Sequence, residues 1–360
     1  MKTLKALLSH DLPRSRLLAL LLLACVAGLA LTPFIFPGTK ALNVAAKILV
    51  FIVLVASYDL LLGYTGIVSF AHTMFFGIGA YGIAIASTRM AVDGEVGWGA
   101  VGAGLAGGLV VSLLLSLLIG LFSLRVKAIF FAMITLAVAS AFLTLASQLS
   151  DFTGGEDGLN FKVPEALRPA TEYLEEPFLG AMIDGRFAAY YLLFFAAAAL
   201  VLLMLRIVNS PFGRVLQAIR ENDFRAEAIG YRTVVYRTLS NVLAALFATC
   251  AGALLALWLR YNGPDTSLSF EIMLDILLIV VIGGMGTVYG AVIGSVLFVL
   301  AQSYLQNLMQ LGAGMVEGVP VLSQLVSPDR WLLWLGVLFV LAVYHFPSGI
   351  VGRLRAGGRR

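Results

Sequence analysis

Few residues in this chain are of a type and spacing that could do covalent chemistry. The three histidines, His10, His72 and His345, are far apart in sequence. Cys25 and Cys250 sit in apolar runs with neither a metal-ligand neighbour nor a disulfide spacing, and read as small buried residues. There is no Gly-Lys dipeptide and hence no Walker A loop, and neither His-Glu-x-x-His nor Gly-x-Ser-x-Gly occurs. What remains is polar side chains in apolar surroundings. Asp59 and Asp275 interrupt such runs, where an aspartate at a helix centre costs about 2.5–3.5 kcal/mol on insertion scales. Each is expected either to serve a pathway or gate, or to lie near an interface where the cost is small. Ser69 and His72, after a helix-breaking Gly63-Tyr-Thr-Gly66, read as a packed, hydrogen-bonded polar pair, while Asn241, Gln302 and Gln306 read as glue between helices.

A charged island runs from Gly213 to Gly230, Gly-Arg-Val-Leu-Gln-Ala-Ile-Arg-Glu-Asn-Asp-Phe-Arg-Ala-Glu-Ala-Ile-Gly, between two long apolar runs. Val215, Ile219, Ala226 and Ile229 recur near helical spacing with Arg220, Glu221, Asp223, Arg225 and Glu227 interleaved, which predicts a short amphipathic helix. A helical, mixed-charge loop of this length between spans suits docking to a soluble partner.

The elements that must position these residues are set by composition. The 360 residues are 60% hydrophobic and 12% charged, with a mean hydropathy of +0.96, well above a soluble globule. Several stretches approach the roughly 20 apolar residues that cross a bilayer, and runs such as Leu109 to Leu121 lack the alternation of a barrel strand. The fold class is therefore all-α, a polytopic membrane helical bundle of about ten segments, at roughly 17–36, 44–62, 67–87, 98–123, 128–149, 187–207, 236–259, 271–283, 288–308 and 331–346. Eight spans also fit if the third and the eighth or ninth segments are re-entrant. Leu22-Leu-Ala-Cys25 resembles a weak lipoprotein cleavage box, but the apolar run continues through Phe36, so an uncleaved first span is expected.

Orientation follows the Lys/Arg bias of the loops. With the N-terminus cytoplasmic, the inside collects Lys2, Lys5, Arg14, Arg16, Arg125, Lys127, six arginines between Arg206 and Arg237, and Arg353, Arg355, Arg359 and Arg360, which is 16 of the 24 basic residues. Lys40, Lys47, Arg89, Lys162, Arg168, Arg186, Arg260 and Arg330 fall outside. The chain thus reads as one transmembrane domain, 1–360. Residues 1–16, a loop at 208–235 and a basic tail at 348–360 are cytoplasmic, and an acidic loop at 150–186 is external, either capping a pathway or simply solvated. The tail is expected to be a topology anchor. A net charge of +4 gives no sign of nucleic-acid binding.

Two glycine-rich passages, Gly63 to Tyr81 (with Gly66, Gly77 and Gly79) and Gly283 to Gly294 (with Gly284 and Gly286), break the apolar pattern. Glycine permits close helix packing, or irregular backbone that is buried or lines a cavity, and paired interruptions can mark a transport route. Close packing alone explains them equally well.

Four stretches carry a resemblance. Leu60-Leu-Leu-Gly-Tyr-Thr-Gly-Ile-Val-Ser-Phe-Ala-His-Thr-Met-Phe-Phe-Gly-Ile-Gly-Ala-Tyr81, Thr153-Gly-Gly-Glu-Asp-Gly-Leu159, Gly213-Arg-Val-Leu-Gln-Ala-Ile-Arg-Glu-Asn-Asp223 leading to Ala228-Ile-Gly230, and Val280-Val-Ile-Gly-Gly-Met-Gly286 occur in an order similar to that of LivM-type permeases of branched-chain amino acid ABC importers. The resemblance implies that the island docks into an ATP-binding subunit, with Gly213, Arg214, Arg220, Glu221, Asn222, Asp223, Glu227, Ala228 and Gly230 transmitting nucleotide-driven closure. It implies two ATP-binding subunits, a second, LivH-like permease, a periplasmic substrate-binding protein and a bacterial inner-membrane location with both termini cytoplasmic. It also implies that ATP and Mg are used by the partners, with no cofactor in this chain and no enzymatic activity of its own. Asp59, Gly63, Gly66, Ser69, His72, Gly77, Gly79, Asp275, Gly283, Gly284 and Gly286 become candidates for the translocation path or for helix packing. Family sequences usually carry Asn where Asp59 stands. Cargo of the same architecture extends to urea, short amides and other hydrophobic or aromatic amino acids. An ion-coupled secondary transporter, with Asp59 and Asp275 as coupling sites, is the alternative of another class, and a membrane transferase finds no constellation to support it.

Overall fold

Backbone amides in hydrocarbon have to be satisfied within their own segment, and this chain meets that demand almost entirely with α-helix. The computed structural model describes residues 15–36, 38–123, 128–174, 176, 182–315, 330–346 and 348–357. Helices α1 (Arg16–Ile35), α2 (Thr39–Thr65), α3 (His72–Arg89), α4 (Trp98–Ser123) and α5 (Ala128–Gln148) precede a short turn of helix, α6 (Ser150–Thr153), and strand β1 (Leu159–Asn160). Then follow α7 (Gly185–Val208), α8 (Pro211–Glu221), α9 (Asp223–Ala228), α10 (Thr233–Leu259), strand β2 (Tyr261–Asn262), α11 (Pro264–Ser267), α12 (Phe270–Gly283), α13 (Val288–Met315), α14 (Trp331–His345) and α15 (Gly349–Gly357).

Among the described residues nine segments are long and apolar enough to cross a membrane. Helix α3, kept more polar by His72, Thr73 and four glycines or serines of its own, is a further helix buried between them. The bundle is organised around α2 and α10, whose most apolar windows are 94% and 78% buried; the same windows of α1, α4, α5, α7 and α14 are only 17–28% buried. Side chains such as Phe122, Ile129 and Leu332 point outward from this perimeter, as lipid-facing residues do. α2 and α10 pack on one another and on α7; α10 also packs on α3 and α4, and α2 on α12 and α13. Asn241 of α10 ties in α4 by donating to the Ser116 carbonyl (2.9 Å). α1 is held by Tyr190 and Tyr191 of α7, whose hydroxyls donate to the carbonyls of Leu29 and Ala30 (2.5 and 2.7 Å).

Polar connections sort to the two ends of the bundle. One end gathers the C-terminus of α2, the α8–α9 hairpin, the turn 284–287 and α15. The other gathers Arg89, which donates to the Asp151 carbonyl (2.6 Å), the β1–β2 pair and the Arg168–Glu95 ion pair (3.6 Å). This alternation follows the ten-segment order. α3 starts beside Ser57, eight residues short of the end of α2, and runs to Arg89 at the far end. The eighth segment is broken: α12 has 14 residues, about 21 Å of helix against a hydrocarbon core of about 30 Å, and α11 makes up the remainder.

Three expectations are corrected. The 150–186 loop is not merely solvated. Phe161, Val163 and Leu167 are buried, and β1 pairs with β2 (Leu159 opposite Asn262), so the described part caps one end of the bundle. The tail is more than a topology anchor, because α15 buries Val351 and lays Gly349 against the Gly284 backbone. Lys47 is not in an outer loop but lies eight residues along α2. Lys2, Lys5, His10, Arg14, Arg125, Lys127, Arg359 and Arg360, and with them most of the proposed N-terminal segment, lie outside the described residues.

Candidate functional site

The charged island folds as two helices rather than one. Pro211 opens α8 at a position that needs no amide donor. At Asn222 the chain leaves helical geometry (φ −160°), and its Oδ1 accepts from Arg225 N (2.9 Å) to cap α9. Leu216, Ile219 and Ala226 are buried beneath the hairpin, and Gly213 lets α8 close onto the Val208 backbone. Ile229, counted with that apolar face from its spacing, lies beyond the end of α9 and is 67% exposed; Phe224 is 86% exposed. Spacing missed Phe224, since an outward aromatic on a short helix has no periodic signature. Of the charges, Asp223 pairs with Arg237 of α10 (3.0 Å) and Glu227 Oε1 accepts from Thr233 Oγ1 (2.7 Å), so both brace the loop on α10. Arg214, Glu221, Ala228 and Gly230 face solvent.

Arg220 reaches back into the bundle and joins the island to both glycine-rich passages. Its stem runs over Gly66, where an added Cβ would lie 3.3 Å from Arg220 Cγ, and its Nη1 donates to the Gly63 carbonyl. Gly286, from the second passage, sits against the same group: a Cβ there would lie 3.0 Å from the Gly63 carbonyl oxygen and 3.1 Å from Arg220 Nη1. Gly286 also has φ +79°, which an L side chain rarely adopts. Asp59, one turn before Gly63, accepts from Gly286 N through Oδ1 (2.8 Å), with the Arg220 charge nearby. Thr287 closes the turn, donating to the Gly284 carbonyl (2.8 Å) and accepting from Gly290 N (3.2 Å). Gly283 packs on Gly290, and Gly284 is backed by Gly349 of α15. Two helix breaks far apart in sequence are thus clamped by one arginine and one aspartate.

The Asp59 bond settles what that position requires, an acceptor aimed at Gly286 N. Asparagine offers the same Oδ1, so Asp59→Asn is expected to keep wild-type abundance and melting temperature, whereas Asp59→Leu strands a buried amide at about 1–3 kcal/mol. Thermal melts of the two purified variants check this, and equal melting of both would contradict it.

The other predicted residues divide differently. His72 pairs with Ser57, not with Ser69. His72 Nε2 is 2.8 Å from Ser57 Oγ, which itself donates to the Leu54 carbonyl (2.7 Å), so the imidazole must supply the Nε2–H. Ser69 Oγ instead accepts from Ala71 N (3.3 Å) at the start of α3. Gly77 packs under Leu268 and Gly79 under the Thr249 backbone, so these two serve packing. Asp275 stands apart from the Arg220 junction: Gln302 Nε2 donates to its Oδ2 (3.2 Å), and Gln302 Oε1 accepts from Lys47 Nζ (2.8 Å). Gln306 is exposed. Near the N-terminal end of α2 a small cavity of about 110 Å³ is flanked by Arg186 and Arg260; burial, with the Arg186 charge added, holds the Arg260 guanidinium below its usual value. No group of three His, Cys, Asp or Glu able to hold a metal occurs among the described residues.

Comparison with known proteins gives the family of the chain. Residues 40–343 match the family model described as branched-chain amino acid transport system / permease component. The chain is 25% identical over 305 residues to the high-affinity branched-chain amino acid transport system permease protein LivM of Salmonella typhimurium, covering 81% of this chain and 70% of the relative. It is 24% identical over 311 residues to the LivM of Escherichia coli, covering 81% and 69%, and 23% identical over 234 residues to a probable LivM of Methanocaldococcus jannaschii, covering 64% and 61%. No solved structure matches. The matched region runs from the start of α2 to the end of α14 and takes in Asp59, the α8–α9 hairpin and the Gly283–Thr287 turn, so this chain, a multi-pass membrane protein, belongs to the family of branched-chain amino acid transport system permease components.

Proposed function

We propose that the chain is a membrane-spanning subunit of an ATP-driven importer of branched-chain amino acids, and that the α8–α9 hairpin is where the drive enters. The Arg220 junction carries this reading. A surface hairpin that presents Phe224 and Ile229 to solvent is joined by one side chain to two breaks in membrane helices. Displacing the hairpin therefore pulls on backbone whose conformation is not locked by a continuous helix. The chain has no Walker A loop, so the energy comes from elsewhere. Two ATP-binding subunits that use ATP and Mg, a second permease and a substrate-binding protein complete the importer. The hairpin end faces the bacterial cytoplasm, with both termini on that side, and the capped end faces the periplasm.

Coupling of this kind needs the ATPase subunits to bind one permease conformation more tightly than the other. Phe224→Glu puts a charge where an apolar groove is expected, and Gly230→Val strains a residue at φ +98° where an added Cβ would meet nothing within 4 Å. Both are expected to lower ATP-driven leucine uptake in proteoliposomes by at least about tenfold while membrane abundance stays at the wild-type level. Full uptake and full substrate-stimulated ATPase activity in both would refute the docking role. Uptake of urea with none of leucine by the wild-type complex would overturn the cargo.

A further inference from the structure

Between α2, α10, the α11–α12 turn and α13 lies a groove of about 450 Å³, within the range of small-molecule sites. Asp265, Thr266 and Glu271 stand at its outer mouth, and the buried rings of Phe51 and Phe76 lie deeper. Lys47 and Asp275 face one another across it. Lys47 is eight residues from the start of α2, about 12 Å down the helix. Each of these charges costs about 2.5–3.5 kcal/mol at membrane depth, and such groups face cavities and pathways.

The two charges are bridged by a neutral amide. Gln302 Oε1 accepts from Lys47 Nζ (2.8 Å) and Gln302 Nε2 donates to Asp275 Oδ2 (3.2 Å). An acceptor toward the lysine and a donor toward the aspartate is the polarity of an α-amino acid, whose carboxylate accepts and whose ammonium donates. We propose that Lys47 and Asp275 form a subsite for the zwitterionic head of an amino acid, with Gln302 holding its place when the subsite is empty. An apolar side chain would then rest on Phe51, Phe76 and Trp258. The inference rests on the reading above that amino acids are the cargo.

The test uses the assembled complex in nanodiscs, without binding protein, and radiolabelled L-leucine. Isocaproate, which lacks the ammonium, and isopentylamine, which lacks the carboxylate, should each compete at least about tenfold more weakly than leucine. Lys47→Met and Asp275→Asn should each weaken leucine binding by at least about tenfold, with Lys47→Arg recovering much of it. Thr266→Trp, which narrows the mouth and removes no charge, should also lower binding, and it decides the matter together with the analogues if a charge variant fails to fold. Equal competition by the analogues, wild-type binding in the folded variants, or no leucine binding by the wild type overturns the subsite. ATP-driven uptake measured alongside separates the two readings. Uptake indifferent to Lys47 and Asp275 overturns only the subsite; binding that needs both charges, without ATP-driven uptake, leaves the subsite standing and overturns the proposed function.

Discussion

Arg220→Met is expected to leave the proposed importer assembled and to abolish its coupling: on that reading leucine uptake should fall by well over about tenfold while basal ATP hydrolysis by the partner subunits continues. The substitution keeps the apolar stem over Gly66 and removes the guanidinium that donates to the Gly63 carbonyl and lies against Gly286. A hydrogen bond from a charged donor contributes about 1.5–3 kcal/mol, and here it is the one direct side-chain bond from the hairpin to the first helix break among those described. Lysine restores only part of the activity, because a single ammonium cannot contact both passages as a planar fork does. Asp59 supplies an internal check. Its carboxylate bonds Gly286 N and lies near the Arg220 charge, so Arg220→Met leaves that carboxylate without its countercharge. The pair Arg220→Met with Asp59→Asn is therefore expected to be less unstable than the sum of the single changes, as interacting neighbours are. Additive melting shifts, or uptake by Arg220→Met within twofold or so of wild type, would remove the junction from the mechanism.

Gly252→Val is the change expected to prevent folding. α3 and α10 cross so closely that each meets the other's backbone: a Cβ on Gly252 would fall on the Phe76 carbonyl, and one on Gly79 on the Thr249 carbonyl. Thr249 reinforces the crossing, its Oγ1 lying 3.2 Å from the Phe75 carbonyl and 2.6 Å from Ser112 Oγ of α4. A clash with a flexible side chain can be relieved by rotation, whereas a clash with a carbonyl moves a whole helix. The cost is therefore expected at or above the upper end of the usual overpacking range, about 3 kcal/mol. Small residues are what allow helices to pack in lipid, where no hydrophobic force draws them together. Gly336→Ala and Gly99→Ala are the controls, since nothing lies within 4 Å of either added methyl. Fluorescence-detected size-exclusion profiles after a heating series measure the outcome. A Gly252→Val protein that melts with the two controls would show that the crossing is not needed.

Much of the architecture was legible in the sequence because a bilayer imposes length and polarity on each segment separately. Apolar runs of about 20 residues had to be helices, the island between Gly213 and Gly230 had to stand at a membrane surface, and the glycine passages marked where the apolar pattern is interrupted. These are local properties, and each holds whatever its neighbours do. The fused amphipathic helix was the exception: Asn222 sits in a pattern whose periodicity continues across it, while its own side chain caps a new helix.

Which residues meet was decided only by tertiary structure. Asp59 and Gly286 are 227 positions apart, Arg220 and Gly63 157, and Lys47 and Gln302 255. In a soluble helix the apolar stripe tells which face turns inward. In a membrane the lipid-facing side is as apolar as the packed side, so periodicity loses that information, and Lys47 reads as a loop charge until α2 is seen to carry it into the bundle. The chain by itself determined that two glycine passages interrupt its apolar pattern and that a charged segment lies between them. Only the packing of α2 against α8, α12 and α13 brought those features onto one arginine, because the rotation of each helix about its axis is set by its neighbours and not by its own composition.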